Sequence, residues 1–340
     1  KGYELPIIQE IWDVLRAFAS FGFCKAHAAA FALPTYQSAW LKTHYPAAFL
    51  AGVLTHDPGM YPKRLIVDEA RQMGITIAPI DVNASDAVYR VEDHGNAIRI
   101  ALATVSGISD GEVQSIIAGR PYIDLNDFVR RSGSSTPVTE SMILTGAFDS
   151  LHIDVNRRDL LLHFSDLQKS PSAAVSGAQM NLGFDPPALI SSGLPAMTAS
   201  ESVKYEIDRL GIDMSRHLIE FYGEFLNAIG AVRSSDLLKQ RSQSSVLVAG
   251  IKVAMQTPPV RSGKRVIFLT LDDGYGCSDS TFFTDVQSEY ANVLYSTSLL
   301  LVRGVTRRTG ARGISIRATG AWDLRAAYES WSAKQSTLAI

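Results

Sequence analysis

Between residues 244 and 320 the chain carries five short runs of strand-favouring residues, VLVAGIKVAMQTPP, KRVIFLTLDDGYG, DSTFF, SLLLVRGVTRR and GISIRATGAW, with turn-type residues between them. Runs of this length, packed this closely, predict a small barrel. Upstream of residue 240 helix-type segments dominate, so the barrel is one part of a larger α+β protein. With 340 residues the chain exceeds what one hydrophobic core usually serves, and two or more domains are expected.

The first 75 residues read as helices. Ile8, Ile11, Trp12, Leu15 and Phe18 recur at spacings of three and four, which makes one apolar face. HAAAFALPTYQSAWLKTHYP reads as a helix interrupted or restarted at Pro34, Pro46 opens PAAFLAGVLT, and YPKRLIVDEARQMG ends at Gly74. ITIAPIDVN and VYRVEDHGNAIRIA are then short β-type runs, the second bent at the turn-like EDHGN. LATVSGISDGEVQSIIAG gives an apolar helical turn, a glycine bend and a second helix capped by Ser109 or Asp110, which is a helix-hairpin-helix outline. Further helices are expected at DLNDFVRR, with Asp124 as N-cap, and at TESMILTGAF.

From about residue 165 to 200 Ser, Pro, Gly and Ala dominate, as in a linker. Within it, Gln179, Met180, Leu182 and Phe184 form a polar head with apolar anchors, the form of a peptide that docks into a partner's pockets. The alternative is that they fold back on their own chain. A short helical stretch, 201–240, leads into the barrel, of which the five-stranded OB-fold is the commonest kind.

Composition excludes several classes. A formal charge of −2 gives no global sign of a polyanion partner, Cys24 and Cys277 carry no metal-type spacing, and the start of the chain has no signal pattern. A reducing, cytoplasmic setting is the expectation. No run of apolar residues reaches the length of a membrane span. The seven histidines lack HxH or HxxxH spacing, so a metal site among them would need tertiary convergence. Asp272 and Asp273 read as the end of a strand entering a turn rather than a metal dyad. No Walker-type loop or G-x-S-x-G elbow occurs.

Two regions carry binding chemistry. A glycine-bearing hairpin aims backbone N–H groups at a phosphate, with Gly107 and Ser109 at its bend, although Gly107-Ile108-Ser109 departs from the usual G-h-G at its last place. A plain helical hairpin packed on a neighbour is the competing reading. In residues 244–320 nine basic side chains, among them Lys264, Arg265, Arg303, Arg307, Arg308 and Arg317, face five acidic ones. Phe268, Tyr275, Phe282 and Phe283 offer stacking surfaces for single-stranded bases, unless they are core and the arginines solvated.

In combination these segments resemble the C-terminal part of the bacterial C-family DNA polymerases, the DNA polymerase III alpha subunits. FGFCKAHAAAFALPTYQSAWLKTHYPAAFLAGVL resembles the family's fingers signature, IRIALATVSGISDGEVQSII its helix-hairpin-helix, EIDRLGIDMSRH its E-x-x-x-L-G-x-x-x-S-x-H segment, and VLVAGIKVAMQTPPVRSGKRVIFLTLDD its OB domain. TPPVRSGKRVIFLTLDD and HDPGMYPKR are most similar to an actinobacterial-type alpha subunit or the related error-prone polymerase. The resemblance implies that Lys25, His27, Tyr36 and Lys42 face the incoming nucleotide. Phe31 stands where the family often has Tyr. The local basicity and the hairpin outline make Lys264, Arg265, Arg307 and Arg308, with Gly107 and Ser109, the expected DNA-binding residues. QMNLGF matches the family's Q-L-x-L-x-F clamp peptide with Met for the first Leu, so Gln179, Met180, Leu182 and Phe184 are implied to tether a ring-shaped beta clamp.

The expected layout is a multi-domain α+β chain of six parts. These are the end of the polymerase fingers (1–95), a helix-hairpin-helix region (96–150), a linker with the clamp peptide (151–200), a connector (201–240), an OB-fold (241–320) and a tail (321–340). The tail packs on the barrel or offers a partner site. Lys1 falls inside a helix-type segment, so a fragment of a longer protein is expected. The palm carboxylates that hold two Mg²⁺ are expected upstream, and the fragment alone is expected to be inactive and to bind no cofactor. Implied partners are primer-template duplex and single-stranded template DNA, deoxynucleoside triphosphates, the clamp and other replisome subunits, with no membrane. A non-catalytic accessory protein built from the same modules is the alternative, and a simple OB-type single-strand binder a third.

Overall fold

The computed structural model describes residues 2–19, 25–59, 61–169, 189–258 and 265–338. Two helices, α1 (Leu5–Ala19) and α2 (Lys25–His44), lead the chain and bury almost nothing of their own. Trp12, Leu15, Phe31, Tyr36 and Trp40 are all exposed. The expected break at Pro34 does not occur, and α2 runs through it. Proline forfeits one amide there, but Ala30, whose carbonyl would have accepted it, is exposed to water, and the Thr35 hydroxyl donates to the Phe31 carbonyl at 2.8 Å.

α3 (Pro46–His56) begins at Pro46, where the missing N–H is no loss, and α4 (Lys63–Gln72) ends before Gly74, whose φ is +78°. A three-stranded sheet follows, β1 (Thr76–Ala78), β2 (Arg90–Glu92) and β3 (Ala97–Arg99), in the order β1-β3-β2, with β1 parallel and β2 antiparallel to β3. Position 95 lies inside this sheet. α3 and α4 pack against it, and α5 (Asp110–Ala118), α6 (Leu125–Arg131), α7 (Thr136–Leu144) and α8 (Arg157–Lys169) share one hydrophobic core with it. Asp124 caps α6 as expected, accepting from the Asp127 amide at 2.7 Å. One core runs from Ala47 to Met214 and spans the expected boundaries at 95 and 150. At its centre Tyr122, Phe128 and Phe148 meet edge to face, at 5.0 and 4.9 Å between ring centroids.

α9 (Ala199–Leu210) starts with a capping box of Thr198 and Glu201 and stops at Gly211, with φ +70°. Beyond it Ile212 and Met214 complete the first core, and a 3₁₀ turn (Leu218–Tyr222), α10 (Gly223–Ala228) and α11 (Ser234–Leu237) reach the barrel. The five expected strands form: β4 (Ser245–Gln256), β5 (Ile267–Asp272), β6 (Cys277–Phe282), β7 (Leu299–Arg308) and β8 (Ile314–Asp323). They close in the order β4-β5-β6-β8-β7, with β6 and β8 parallel and the other pairs antiparallel, which is the OB-type barrel. α12 (Thr284–Ser296), between β6 and β7, was not anticipated; it lays Val286, Tyr290, Val293 and Leu294 on the barrel core. The tail forms α13 (Leu324–Leu338), whose Leu324, Ala327, Tyr328 and Trp331 pack with Ile219, Tyr222 and Phe225 against the outside of β4 and β7. That is the barrel-packing alternative.

A buried polar seam joins the two cores. Asp68 of α4, Asp213 and His217 of the connector and Asp272 at the end of β5 are each at most 2% exposed. Burial pushes the Asp68 carboxyl up to about 7 and raises that of Asp213 too.

Candidate nucleic-acid interface

The hairpin bend is built by local hydrogen bonds. Gly107 turns the chain at φ +81°, a conformation glycine takes without strain, and its Cα faces open space. Ser109 then caps α5. Its Oγ accepts from the Glu112 amide at 3.3 Å, while the Ser109 amide and hydroxyl donate to Glu112 Oε2 at 2.9 and 2.8 Å. The other oxygen, Oε1, accepts from the Ser135 hydroxyl at 2.7 Å and its amide at 2.9 Å. Those donors, the Ser135 hydroxyl foremost, hold the Glu112 carboxyl down to about 2. Both polar groups of Ser109 are thus committed inside the hairpin, and Gly107 is left as an exposed backbone corner.

On the barrel, β7, β8 and the start of α12 enclose a groove of about 660 Å³. Arg307 and Arg317 line it with Phe283, Gln243, Thr281 and Thr319. The Arg317 guanidinium lies 5.5 Å from the Phe283 ring centroid and 3.4 Å from Asp285 Oδ2, so a cation and an aromatic face present themselves together. Arg317 lies outside the expected contact set. Its signal was the alternation along β8, where Ile316 and Ala318 are buried on either side of it. Of the four aromatic stacking candidates, Phe282 is core, whereas Phe268, Tyr275 and Phe283 reach the surface.

The remaining expected residues are dispersed. Arg308 donates to the Leu238 carbonyl and so fastens β7 to the connector. Arg265 is exposed just ahead of β5, away from the groove lining. Lys264 and the clamp peptide, Gln179, Met180, Leu182 and Phe184, lie outside the described residues. Lys25, His27, Tyr36 and Lys42 all stand on α2. At 100° per residue Lys25 and Tyr36 share a face, roughly 16 Å apart, while His27 points the other way. His27 meets Phe31 edge to face at 4.5 Å, and Lys42 Nζ is 2.6 Å from Glu69 Oε1.

A helix-hairpin-helix module joined to an OB-type barrel bearing a basic, aromatic groove defines the class of protein. A family model described as a helix-hairpin-helix motif matches residues 74–160. The error-prone DNA polymerase of Symbiobacterium thermophilum is 32% identical over 93% of the chain, and the DNA polymerase III alpha subunits of Vibrio cholerae and Escherichia coli K12 are 29% and 30% identical over 98% of it. Homologues named error-prone DNA polymerase and DNA polymerase III alpha subunit thus cover nearly the whole chain, as they would a C-terminal fragment of such a polymerase. It spans about a third of the length of the curated relatives it matches, 33% of the first and 30% of the other two. Among the described residues no helix is long and apolar enough to cross a membrane.

Proposed function

We propose that the chain is the nucleic-acid-holding and clamp-tethering part of a template-directed DNA polymerase. The observation that carries this reading is the groove of Arg307, Arg317 and Phe283 on a barrel whose chain is homologous, over nearly all its length, to DNA polymerases. In this reading single-stranded template lies along the groove, where the guanidiniums meet its phosphates and Phe283 stacks on a base. The Gly107 corner touches duplex backbone without reading sequence. The peptide around Gln179, Met180, Leu182 and Phe184 binds the sliding clamp and raises the local concentration of polymerase at the primer end. Lys25, Tyr36 and the rest of exposed α2 contribute to the nucleotide-facing surface of the assembled enzyme. Its Mg²⁺-holding carboxylates belong to the part of the relatives that the chain does not span, and residues 1–340 alone do not extend a primer.

The test has two arms. Binding of a fluorescent oligothymidine is measured by anisotropy for the wild type and for Arg307→Ala with Arg317→Ala. Clamp binding is measured for the wild type and for Gln179, Leu182 and Phe184 changed together to Ala. Loss of oligonucleotide binding in the first pair and of clamp binding in the second is expected. Unchanged binding in either pair overturns the corresponding assignment.

A further inference from the structure

The seam between the two cores gathers three buried carboxyl groups around one imidazole. Asp68, Asp213 and Asp272 surround His217; Arg71 donates to Asp68 Oδ1 and to the Asp213 and Met214 backbone carbonyls, and Arg64 acts on Asp213 and Asp272 through space. Asp272 Oδ1 accepts from the Gly274 amide at 3.0 Å. Asp213 Oδ2 is 3.4 Å from the Leu218 amide. Asp68 Oδ2 and Asp213 Oδ1, on side chains 1% and 0% exposed, have no hydrogen-bond partner. An orphaned oxygen on a buried carboxylate is costly to leave, and here there are two of them.

The carboxylates that carry them converge with an imidazole. One carboxylate oxygen from each of Asp68 and Asp213 and one ring nitrogen of His217 lie within 4.8 Å of one another, the one such group of metal-ligating side chains among the described residues. We propose that Asp68, Asp213 and His217 form a buried divalent-cation site that fastens α4 to the connector, beside Asp272 of the barrel. Small side-chain rotations bring such a set to the ~2.0–2.2 Å bonds of zinc to imidazole and carboxylate. The mixed nitrogen and oxygen donors favour zinc or manganese over calcium. Asp272 Oδ2, 3.3 Å from His217 Nε2, stands beside the site as a fourth ligand or as a brace for the imidazole.

The ring's present hydrogen bonds define what binding changes. The Ile219 amide donates to His217 Nδ1 at 3.2 Å, so the ring proton sits on Nε2, between Asp68 and Asp272. A cation at Nε2 moves that proton to Nδ1, and the Ile219 amide gives up its acceptor. The Nε2 hydrogen bond to Asp272 and one backbone hydrogen bond at the start of the 3₁₀ turn are exchanged for the pairing of two buried carboxylates.

The whole chain, refolded with and without ZnCl₂ or CoCl₂ and then dialysed, tests the site. About one zinc per chain is expected by elemental analysis. Cobalt should give visible d–d absorption, and amide exchange at Ile219 should be faster in the loaded protein. Asp68→Asn and Asp213→Asn keep the side-chain shape, and each should weaken zinc binding by tenfold or more while circular dichroism stays that of the wild type. Wild type that retains no zinc and shows no cobalt spectrum overturns the proposal, a measurement independent of whether either variant folds. So does zinc retained equally by both Asn variants.

Discussion

Lys42 Nζ is 2.6 Å from Glu69 Oε1, which ties the C-terminal end of α2 to α4 by a half-exposed ion pair. The lysine expected to face a nucleotide therefore already has a carboxylate partner. Pairs this exposed contribute about 0.2–1 kcal/mol. Glu69→Gln is expected to shift a urea unfolding midpoint by no more than that, and the shift should vanish in 1 M salt. A loss of several kcal/mol would mean that the pair anchors α2 far more strongly than its exposure allows.

The groove makes a prediction about salt. Each phosphate contact with a single strand contributes about 0.7 to the slope of log K against log salt. Arg307→Ala and Arg317→Ala should each reduce that slope by about this amount for oligothymidine, with little dependence on base. Phe283→Leu keeps an apolar surface but removes the ring, and should cost about 1–3 kcal/mol of binding without changing the slope.

Glu112 gives the hairpin a signature in acid. Its carboxyl is held at about 2, against 4.5 when free, so its stabilising bonds are fully present above pH 4.5 and are lost as pH falls through 2. Wild type is expected to be more stable than Glu112→Gln at pH 7, and the gap should narrow between pH 4.5 and 2. Chemical denaturation at several pH values reads this directly. A gap that stays constant across that window would mean that Glu112 acts by shape alone.

Phe148 is the fully buried end of the Tyr122–Phe128–Phe148 stack. Phe148→Ala should cost about 3–5 kcal/mol, because it removes a ring and leaves a cavity among neighbours that α6, α7 and α8 hold in place. Thermal unfolding measures it, and a cost below about 1 kcal/mol would show that these helices collapse into the space.

What was legible in the sequence was local. The five strands follow from β-branched runs, the start of α3 from Pro46, and the caps of α5 and α6 from Ser109 and Asp124, because each rests on residues a few positions apart. α12 left a signal in the spacing of Val286, Tyr290, Val293 and Leu294, but flanking strands of similar composition masked it. Pro34 marked a break that solvent makes unnecessary. For the site, composition gave an excess of basic residues on the barrel, but only closure of β7 beside β8 separates Arg307 and Arg317 in the groove from Arg308 against the connector. The seam of Asp68, Asp213, His217 and Asp272 had no spacing to read, since its members come from α4, the connector and β5 and meet through tertiary packing.

The connector has a mechanical consequence. Ile212 and Met214 belong to one core, and Ile219, Tyr222 and Phe225 to the patch that α13 closes against the barrel. Asp213, between the two core residues, and His217, in the short stretch that follows them, are both buried. Between Met214 and Ile219 only Ser215 and Arg216 stand exposed, so little of the chain is left to act as a hinge between the barrel and the first core.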